Sequence, residues 1–269
     1  MLARIVAPGG KTSRMSSTAE GSKSDAGSSR LGIVVPTYKE AENIGRLIGD
    51  LRGLVPGAAI VIVDDSPDQA TVAAARLGGG TDIEIIHRAG KGGRGSAVLT
   101  GMTRLLARDV EQIVEMDADH SHRPSELPAL LERAREARLD LLIASRYLSE
   151  SRIENWPLTR RIFSRAANRL ARSTLGVPVL DYTNGYRVYS RRAAELVVER
   201  CGTAGGGFIA LSEILVTVHR SGMRIGEAPT VFVNRARGES SVTSREILSA
   251  GVGLWKTFRL DRRLQRGRP

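Results

Sequence analysis

Residues 31–65, LGIVVPTYKEAENIGRLIGDLRGLVPGAAIVIVDD, decide the fold. Two runs in this stretch, Leu31–Val35 and Ala59–Val63, are short, continuously apolar and rich in Val and Ile. Between them lies an amphipathic segment of helical length, near Glu40–Leu54. A strand apolar on both faces is buried on both faces, as parallel strands covered by helices are. Working outward, apolar runs recur at Ile83–His87, Gln112–Met116 and Leu139–Ala144, with helical stretches near Asp68–Leu77, Gly95–Arg108 and Pro124–Arg138 between them. The expected class is α/β, with a mainly parallel central sheet flanked by helices.

Past Tyr147 the alternation lapses. The pattern predicts a basic amphipathic helix over Thr159–Leu175, a loop around Asp181–Arg187 and a helix over Arg191–Arg200. A glycine cluster at Gly205–Gly207 precedes a predicted helix, Phe208–Arg220, and a predicted strand, Met223–Val233. In Ser244–Leu260, Ile247, Leu248, Gly251, Leu254, Trp255 and Phe258 recur at helical spacing, which predicts a C-terminal amphipathic helix.

Composition sets the outer limits. With 269 residues, 41% hydrophobic and 26% charged, the chain has material for one domain with appendages. No apolar run reaches the roughly 18–20 residues of a spanning helix, and no stretch near the start has the apolar core of a signal peptide. The single Cys201 excludes an internal disulfide and a cysteine-caged metal, which fits a reducing compartment. Aromatic residues at 4% argue against a stacking platform for single-stranded nucleic acid. The net charge of +11 sits at the ends: residues 1–30 hold five Lys/Arg against two Asp/Glu, and residues 245–269 hold seven against two. The expected organisation is a disordered tail over 1–30, a folded domain over 31–243, and a basic amphipathic helix and tail over 244–269.

Ligands of open α/β sheets bind beyond the carboxyl ends of the strands. Those ends read Pro36-Thr37-Tyr38-Lys39-Glu40, Asp64-Asp65-Ser66-Pro67-Asp68, the glycine loop Gly90-Lys91-Gly92-Gly93-Arg94-Gly95, Asp117-Ala118-Asp119-His120-Ser121-His122 and Ser145-Arg146-Tyr147. All five carry carboxylates or cations. Asp117 and Asp119 repel one another unless a hard divalent cation such as Mg²⁺ or Mn²⁺ lies between them; a solvated acidic turn, or a helix cap before Pro124, is the other reading. The glycine loop offers backbone amides and the cations Lys91 and Arg94 to a diphosphate, or is a plain loop. It lacks the Walker and dinucleotide spacings, which disfavours ATPase and NAD chemistry. Beside hard carboxylate ligands, His120 and His122 read as surface histidines rather than zinc ligands.

Together these residues resemble family 2 glycosyltransferases of the GT-A fold, and among them the dolichol-phosphate and polyprenol-phosphate mannose synthases. The resemblance spans roughly Leu31 to Ser241. The general family is carried by Val35–Glu40, Val63–Asp68, Gly90-Lys91, Gly95-Ser96-Ala97, Met116–Asp119 and Ser145-Arg146-Tyr147. The narrower match rests on Ile153-Glu154-Asn155-Trp156-Pro157 with Arg160 and Arg161, and on Asp181-Tyr182-Thr183-Asn184-Gly185-Tyr186-Arg187.

The resemblance implies roles by position. Pro36, Tyr38, Glu40 and Asp65 line the nucleoside pocket, with Lys91, Asp117 and Arg235 also on the donor. Asp117 and Asp119 hold Mg²⁺ or Mn²⁺, with Ser121 where relatives often place a Gln as third ligand. Arg146, Arg160 and Ser164 receive the acceptor phosphate, and Asp119, Arg146 and Arg160 are the expected catalytic set. Arg235 with Gly238-Glu239-Ser240 matches a loop closing over the donor. Ser241 stands where relatives usually have Lys, so that loop's cationic contact is weaker or comes from Arg237 or Arg245. Ser149-Glu150-Ser151 replaces a glycine-rich turn.

The implied activity is metal-dependent, inverting transfer of a sugar, most simply mannose from GDP-mannose, to a polyprenyl or dolichyl monophosphate. The implied location is peripheral, on the cytoplasmic face of the cell membrane, with room for a membrane partner subunit and no role for nucleic acid. The alternative is another nucleotide sugar, such as UDP-glucose, or a hydroxyl acceptor. A hydroxyl would need a general base, for which Asp119 and Glu213 are the candidates.

Overall fold

The computed structural model describes residues 4–6, 12–13, 30–79, 83–88, 90, 92–202 and 208–234. In chain order they form β1 (Arg4–Val6), β2 (Thr12–Ser13), β3 (Leu31–Thr37), α1 (Ala41–Leu54), β4 (Ala59–Asp64), α2 (Ala70–Gly79), β5 (Ile83–His87), α3 (Arg94–Leu106) and β6 (Gln112–Glu115). A 3₁₀ turn at Pro124–Glu126 leads into α4 (Leu127–Glu136) and β7 (Leu141–Ser145). Then come β8 (Arg152–Glu154), α5 (Leu158–Leu175), β9 (Arg187–Ser190), α6 (Arg191–Arg200), α7 (Phe208–Arg220), β10 (Ile225–Pro229) and β11 (Val231–Val233).

Among the described residues one sheet runs in the order β2-β1-β10-β7-β9-β6-β3-β4-β5, and β8 pairs with β11 in a second, two-stranded sheet. β10, β7, β6, β3, β4 and β5 all point the same way, as expected, because β9 is antiparallel to both of its neighbours. Successive side chains of β3 face opposite ways. Val34 joins a core under α3, α6 and α7 with Val61, Val98, Met102 and Leu215, while Ile33 and Val35 join one under α1, α2 and α4 with Ile44, Leu47, Ile60 and Leu130. Each buried Val, Ile or Leu contributes about 1.5–3 kcal/mol over its exposed state. Two such layers hold the six parallel strand ends in one row, and the site lies along that row.

Three features depart from the sequence pattern. β9 follows the 181–187 loop where no strand is expected, because Arg187 opens it. That guanidinium is fully buried and is satisfied by three main-chain carbonyls at 2.9 Å, those of Asn184, Leu211 and Tyr182. The expected strand Met223–Val233 breaks at Thr230, so β10 stays in the main sheet and β11 leaves it for β8. Within the tail expected to be disordered, β1 pairs antiparallel with β10, Ile5 opposite Gly226, and extends the edge of the sheet. α5 ends at Gly176, whose φ of +68° closes the helix in a left-handed conformation that glycine adopts without strain. The expected helix Ser244–Leu260 lies outside the described residues.

Candidate functional site

The first strand end is built on Asp64. This buried carboxylate accepts hydrogen bonds from Thr37 Oγ1 (2.9 Å) and Ser66 Oγ (2.7 Å), with His87 Nδ1 at 3.0 Å. Ser66 Oγ in turn accepts the Lys39 amide at 2.8 Å, holding Lys39 at φ +59°. That conformation turns the chain sharply out of β3 and leaves Tyr38 at the surface, 40% exposed, over a buried Glu40. Glu40 accepts from Asn43 Nδ2 at 2.8 Å, and its amide donates to Thr71 Oγ1. Pro36 thus lies in the last residues of β3, and Tyr38 and Glu40 on the turn that follows it.

Asp65 is committed elsewhere. Arg88 reaches both of its oxygens, Nε at 2.6 Å and Nη2 at 2.7 Å, and the Gly93 amide adds a bond of 3.1 Å. In this conformation Asp65 joins Arg88 to the glycine loop. Arg88, just beyond β5, had no place in the sequence reading; its only signal is a cation at a strand's carboxyl end.

Arg94, the first residue of α3, spans two carboxylates. It pairs with buried Glu115 and, through Nε (3.0 Å) and Nη2 (2.8 Å), with Asp117 Oδ1. Burial alone would lower the Arg94 pKa, but the charges of Asp117 and Glu115 overcome it and fix the guanidinium charged. The guanidinium packs against Gly185, where any Cβ would collide with it. Glu115 also accepts the Tyr189 hydroxyl at 2.7 Å, which anchors it to β9. The cation expected to face a diphosphate therefore meets the candidate metal carboxylate instead.

The turn after β6 runs Asp117-Ala118-Asp119, then His120 at φ +57°. Asp119 Oδ1 accepts the Ser121 amide at 3.0 Å, and the Ser121 carbonyl accepts the Val233 amide, tying the turn to β11. Ser121 itself is buried. Among the described residues no three His, Cys, Asp or Glu side chains form a metal-holding group. Asp117 and Asp119 are hard oxygen donors of the kind a divalent ion takes together with substrate oxygens; in this conformation Arg94 lies on Asp117 Oδ1.

The surface-histidine expectation fails for His122, which is 1% exposed. Its Nδ1 accepts the Asp117 amide at 3.0 Å, and its Nε2 lies 2.8 Å from Asn184 Oδ1. With Nδ1 accepting, Nε2 is the nitrogen that donates to Asn184 Oδ1. His120 is partly buried, with Nε2 3.1 Å from Asp50.

The neighbouring strand end forms a cationic cage. Arg146, buried, bonds Asp181 through Nε and Nη2 at 2.8 Å each and donates from Nη2 to Thr183 Oγ1 at 2.7 Å. Its guanidinium carbon lies 5.4 Å from the Trp156 ring centre and 5.3 Å from that of Phe232, and Arg160 stacks on the same Trp156 at 4.5 Å. Arg160 Nη1 also donates to Asn234 Oδ1 at 3.1 Å. Ser164, one turn along α5, accepts the Tyr147 hydroxyl at 2.6 Å. Burial would raise the Asp181 pKa, but Arg146 and two backbone amides hold it below the ordinary carboxylate range. Arg146 feels the charge of Asp117 as well as that of Asp181, so cage and carboxylate turn are electrostatic neighbours.

The structure thus places Pro36, Tyr38 and Glu40 at the end of β3, Asp117, Asp119 and Ser121 on the turn after β6, and Arg146 just beyond β7, with Arg160 and Ser164 on α5. Lys91, Arg235, Arg237, Ser241 and Arg245 lie outside the described residues. Glu213, the other candidate base, is fully buried and accepts the Gly202 amide. Sequence reasoning gave no role to Phe232 or Asn184, and took Trp156 only as the start of a second interfacial stretch, Trp156–Leu170, beside the acceptor site. Trp156 and Asn184 lie inside quoted motifs; Phe232 carries no local signal.

Comparison with known proteins places the chain. Residues 32–197 match the family described as Glycosyl transferase family 2. The undecaprenyl-phosphate mannosyltransferase of Micrococcus luteus is 36% identical over 230 residues, covering 84% of this chain and 92% of that protein. The polyprenol monophosphomannose synthase of Mycolicibacterium smegmatis is 34% identical, covering 81% and 83%. Among solved structures, glucosyl-3-phosphoglycerate synthase from Mycobacterium tuberculosis, in complex with Mn²⁺, UDP-glucose and phosphoglyceric acid, superposes with a TM-score of 0.63 at 19% identity, covering 87% of this chain and 81% of that one. At that identity the likeness speaks for the fold.

Proposed function

The chain belongs to glycosyl transferase family 2, and on that premise we propose that it transfers mannose from GDP-mannose to the phosphate of a polyprenyl monophosphate, with inversion, at the inner face of the cell membrane. The names of its relatives support the substrate classes. The observation that carries the reading is the cage: two guanidiniums, Arg146 and Arg160, share the ring of Trp156 next to the carboxylate turn. Two such cations suit an acceptor phosphate, whereas a neutral hydroxyl brings no charge for them to meet.

The chemistry needs little acid–base machinery. A phosphate monoester has its second pKa near ~6, so it arrives as a nucleophilic anion and no base need deprotonate it. What the protein supplies is placement. Arg146 and Arg160 hold the acceptor's charge against the donor's, and the Tyr38–Glu40 turn and Asp65 receive the nucleoside. Asp117 and Asp119, with Ser121 beside them, would hold Mg²⁺ or Mn²⁺, which neutralises charge building on the leaving diphosphate. Attack and departure on opposite sides of the sugar carbon give one in-line displacement and an inverted anomer.

Among the described residues no helix is long and apolar enough to cross a membrane. α5 offers another means of attachment. Leu158, Ile162, Phe163 and Leu170 are 70%, 59%, 49% and 57% exposed, with the exposed Arg165, Arg169 and Arg172 alongside. An apolar stripe edged by arginines suits the headgroup layer of an anionic leaflet, and it starts at the acceptor cage. The basic amphipathic stretch 244–269 is a second proposed contact.

A screen of labelled nucleotide sugars with a polyprenyl phosphate and membranes tests the reading. GDP-mannose should be the best donor. UDP-glucose in its place would change the donor alone; transfer only to hydroxyl acceptors would overturn the proposal.

A further inference from the structure

His122 plays no part in the chemistry above, yet its buried ring touches both halves of the site. From Nδ1 it holds the Asp117 amide at 3.0 Å, fixing the start of the carboxylate turn. From Nε2 it holds Asn184 Oδ1 at 2.8 Å. The Asn184 amide continues to Asp181 Oδ1 at 3.0 Å, and Asp181 holds Arg146 through two bonds of 2.8 Å. Asp117 and Arg146 are therefore joined by consecutive hydrogen bonds through three residues, His122, Asn184 and Asp181, each at most 1% exposed. The Asn184 side chain is fixed independently by its Nδ2 bond to the Ala144 carbonyl on β7.

A second line leaves the same ring by packing. His122 stacks on Tyr186 (5.1 Å, 19°) and meets Phe232 edge-on at 5.8 Å. Phe232 meets Trp156 edge-on at 5.3 Å, and Trp156 carries Arg160 at 4.5 Å. One imidazole is thus linked to both acceptor-side guanidiniums and to the donor-side carboxylate turn.

We propose that His122 is a positioning residue that sets the separation between the carboxylate turn and the Arg146–Arg160 cage, and so the alignment of the two substrates. The proposal rests on the acceptor reading above. Its ring accepts at one nitrogen and donates at the other, and both are spent on structure; it binds neither substrate. In-line displacement is sensitive to distance, and a misplacement of about 1 Å can cost on the order of 100-fold in rate. Loss of the strut should leave each substrate bound and slow the step that needs both.

The full chain is assayed with GDP-mannose and a short-chain polyprenyl phosphate, with donor affinity measured separately by calorimetry. His122→Asn can keep the Asp117 bond, His122→Gln the Asn184 bond, and His122→Phe only the ring packing. For His122→Phe the expected result is a kcat lowered about 30–100-fold, with donor Kd and acceptor KM within about threefold of wild type; Asn and Gln should be intermediate. Because Asn184 lies on the same line, His122→Phe combined with Asn184→Ala should be about as slow as the slower single variant. An unchanged kcat in His122→Phe, or strictly multiplicative losses in the double variant, would overturn the proposal. So would failure of all three His122 variants to fold beside a folded, fully active Asn184→Ala, since His122 would then serve stability alone. Failure of the acceptor reading shows separately: wild type would transfer nothing to a polyprenyl phosphate, and the kcat-against-KM comparison would be made on the acceptor it does use.

Discussion

Arg146 meets Asp181 side-on, Nε and Nη2 each 2.8 Å from a different carboxylate oxygen, while the Arg146 amide donates to the same carboxylate at 3.0 Å. Three bonds to one buried anion leave the guanidinium little freedom to turn. Among the described residues no hydrogen bond occupies Nη1, the nitrogen that would meet the phosphate on the proposed reading.

Removing the anion while keeping the shape should loosen that aim. Asp181→Asn is expected to lower kcat/KM for polyprenyl phosphate about 10–100-fold, with donor affinity within about threefold of wild type. Acceptor-dependent kinetics alongside donor calorimetry check it, and equal loss of donor affinity would place Arg146 on the diphosphate.

The same pair sets a stability term with a definite sign. The Asp181 pKa is depressed in the fold, so its contribution is complete above the unfolded value of about 3.9 and is lost as pH falls through the folded value. Glu227, buried behind it and accepting the Leu180 and Asp181 amides, is raised by burial; its contribution is present at low pH and lost as pH rises through its folded value. Urea midpoints against pH should show Asp181→Asn losing less than wild type below about pH 3.9, and Glu227→Gln gaining on wild type above about pH 4.3.

Activity should require a divalent ion. Asp119→Ala is expected to abolish transfer while the far-ultraviolet circular dichroism stays that of wild type. Chelator should silence wild type, and Mg²⁺ or Mn²⁺ should restore it. Full turnover by Asp119→Ala in chelator would remove the metal from the account.

Binding to anionic vesicles should depend on two surfaces. Replacing Ile162 and Phe163 on α5 by Asp, or ending the chain after Thr243, should each reduce cosedimentation, with the basic tail's share falling at high salt. No binding by the intact chain would remove the peripheral arrangement.

The parallel core was legible because β3 and β4 are buried on both faces and say so in unbroken Val and Ile runs. β9 was not, because its stability comes from three carbonyls closing on Arg187, a tertiary arrangement without local pattern. In the site, Asp117, Asp119, Arg146 and Arg160 stood out as charges at strand ends or within motifs. Asp65 was legible as a candidate site residue but not as the partner of Arg88, 23 residues away. His122 was misjudged for a related reason: its neighbour 62 residues on, Asn184, makes it a buried strut, and spacing around it shows only an acidic turn.

The most direct measurement of the central claim is product identity with paired acceptors. GDP-mannose is offered with a short-chain polyprenyl phosphate and, separately, with the matching polyprenol, and products are read by mass spectrometry and NMR of the anomeric carbon. The cage predicts a mannosyl phosphodiester, inverted relative to the donor, from the phosphate alone. Transfer to the alcohol at a comparable rate, or retention at the anomeric carbon, would contradict a mechanism in which Arg146 and Arg160 present a phosphate nucleophile.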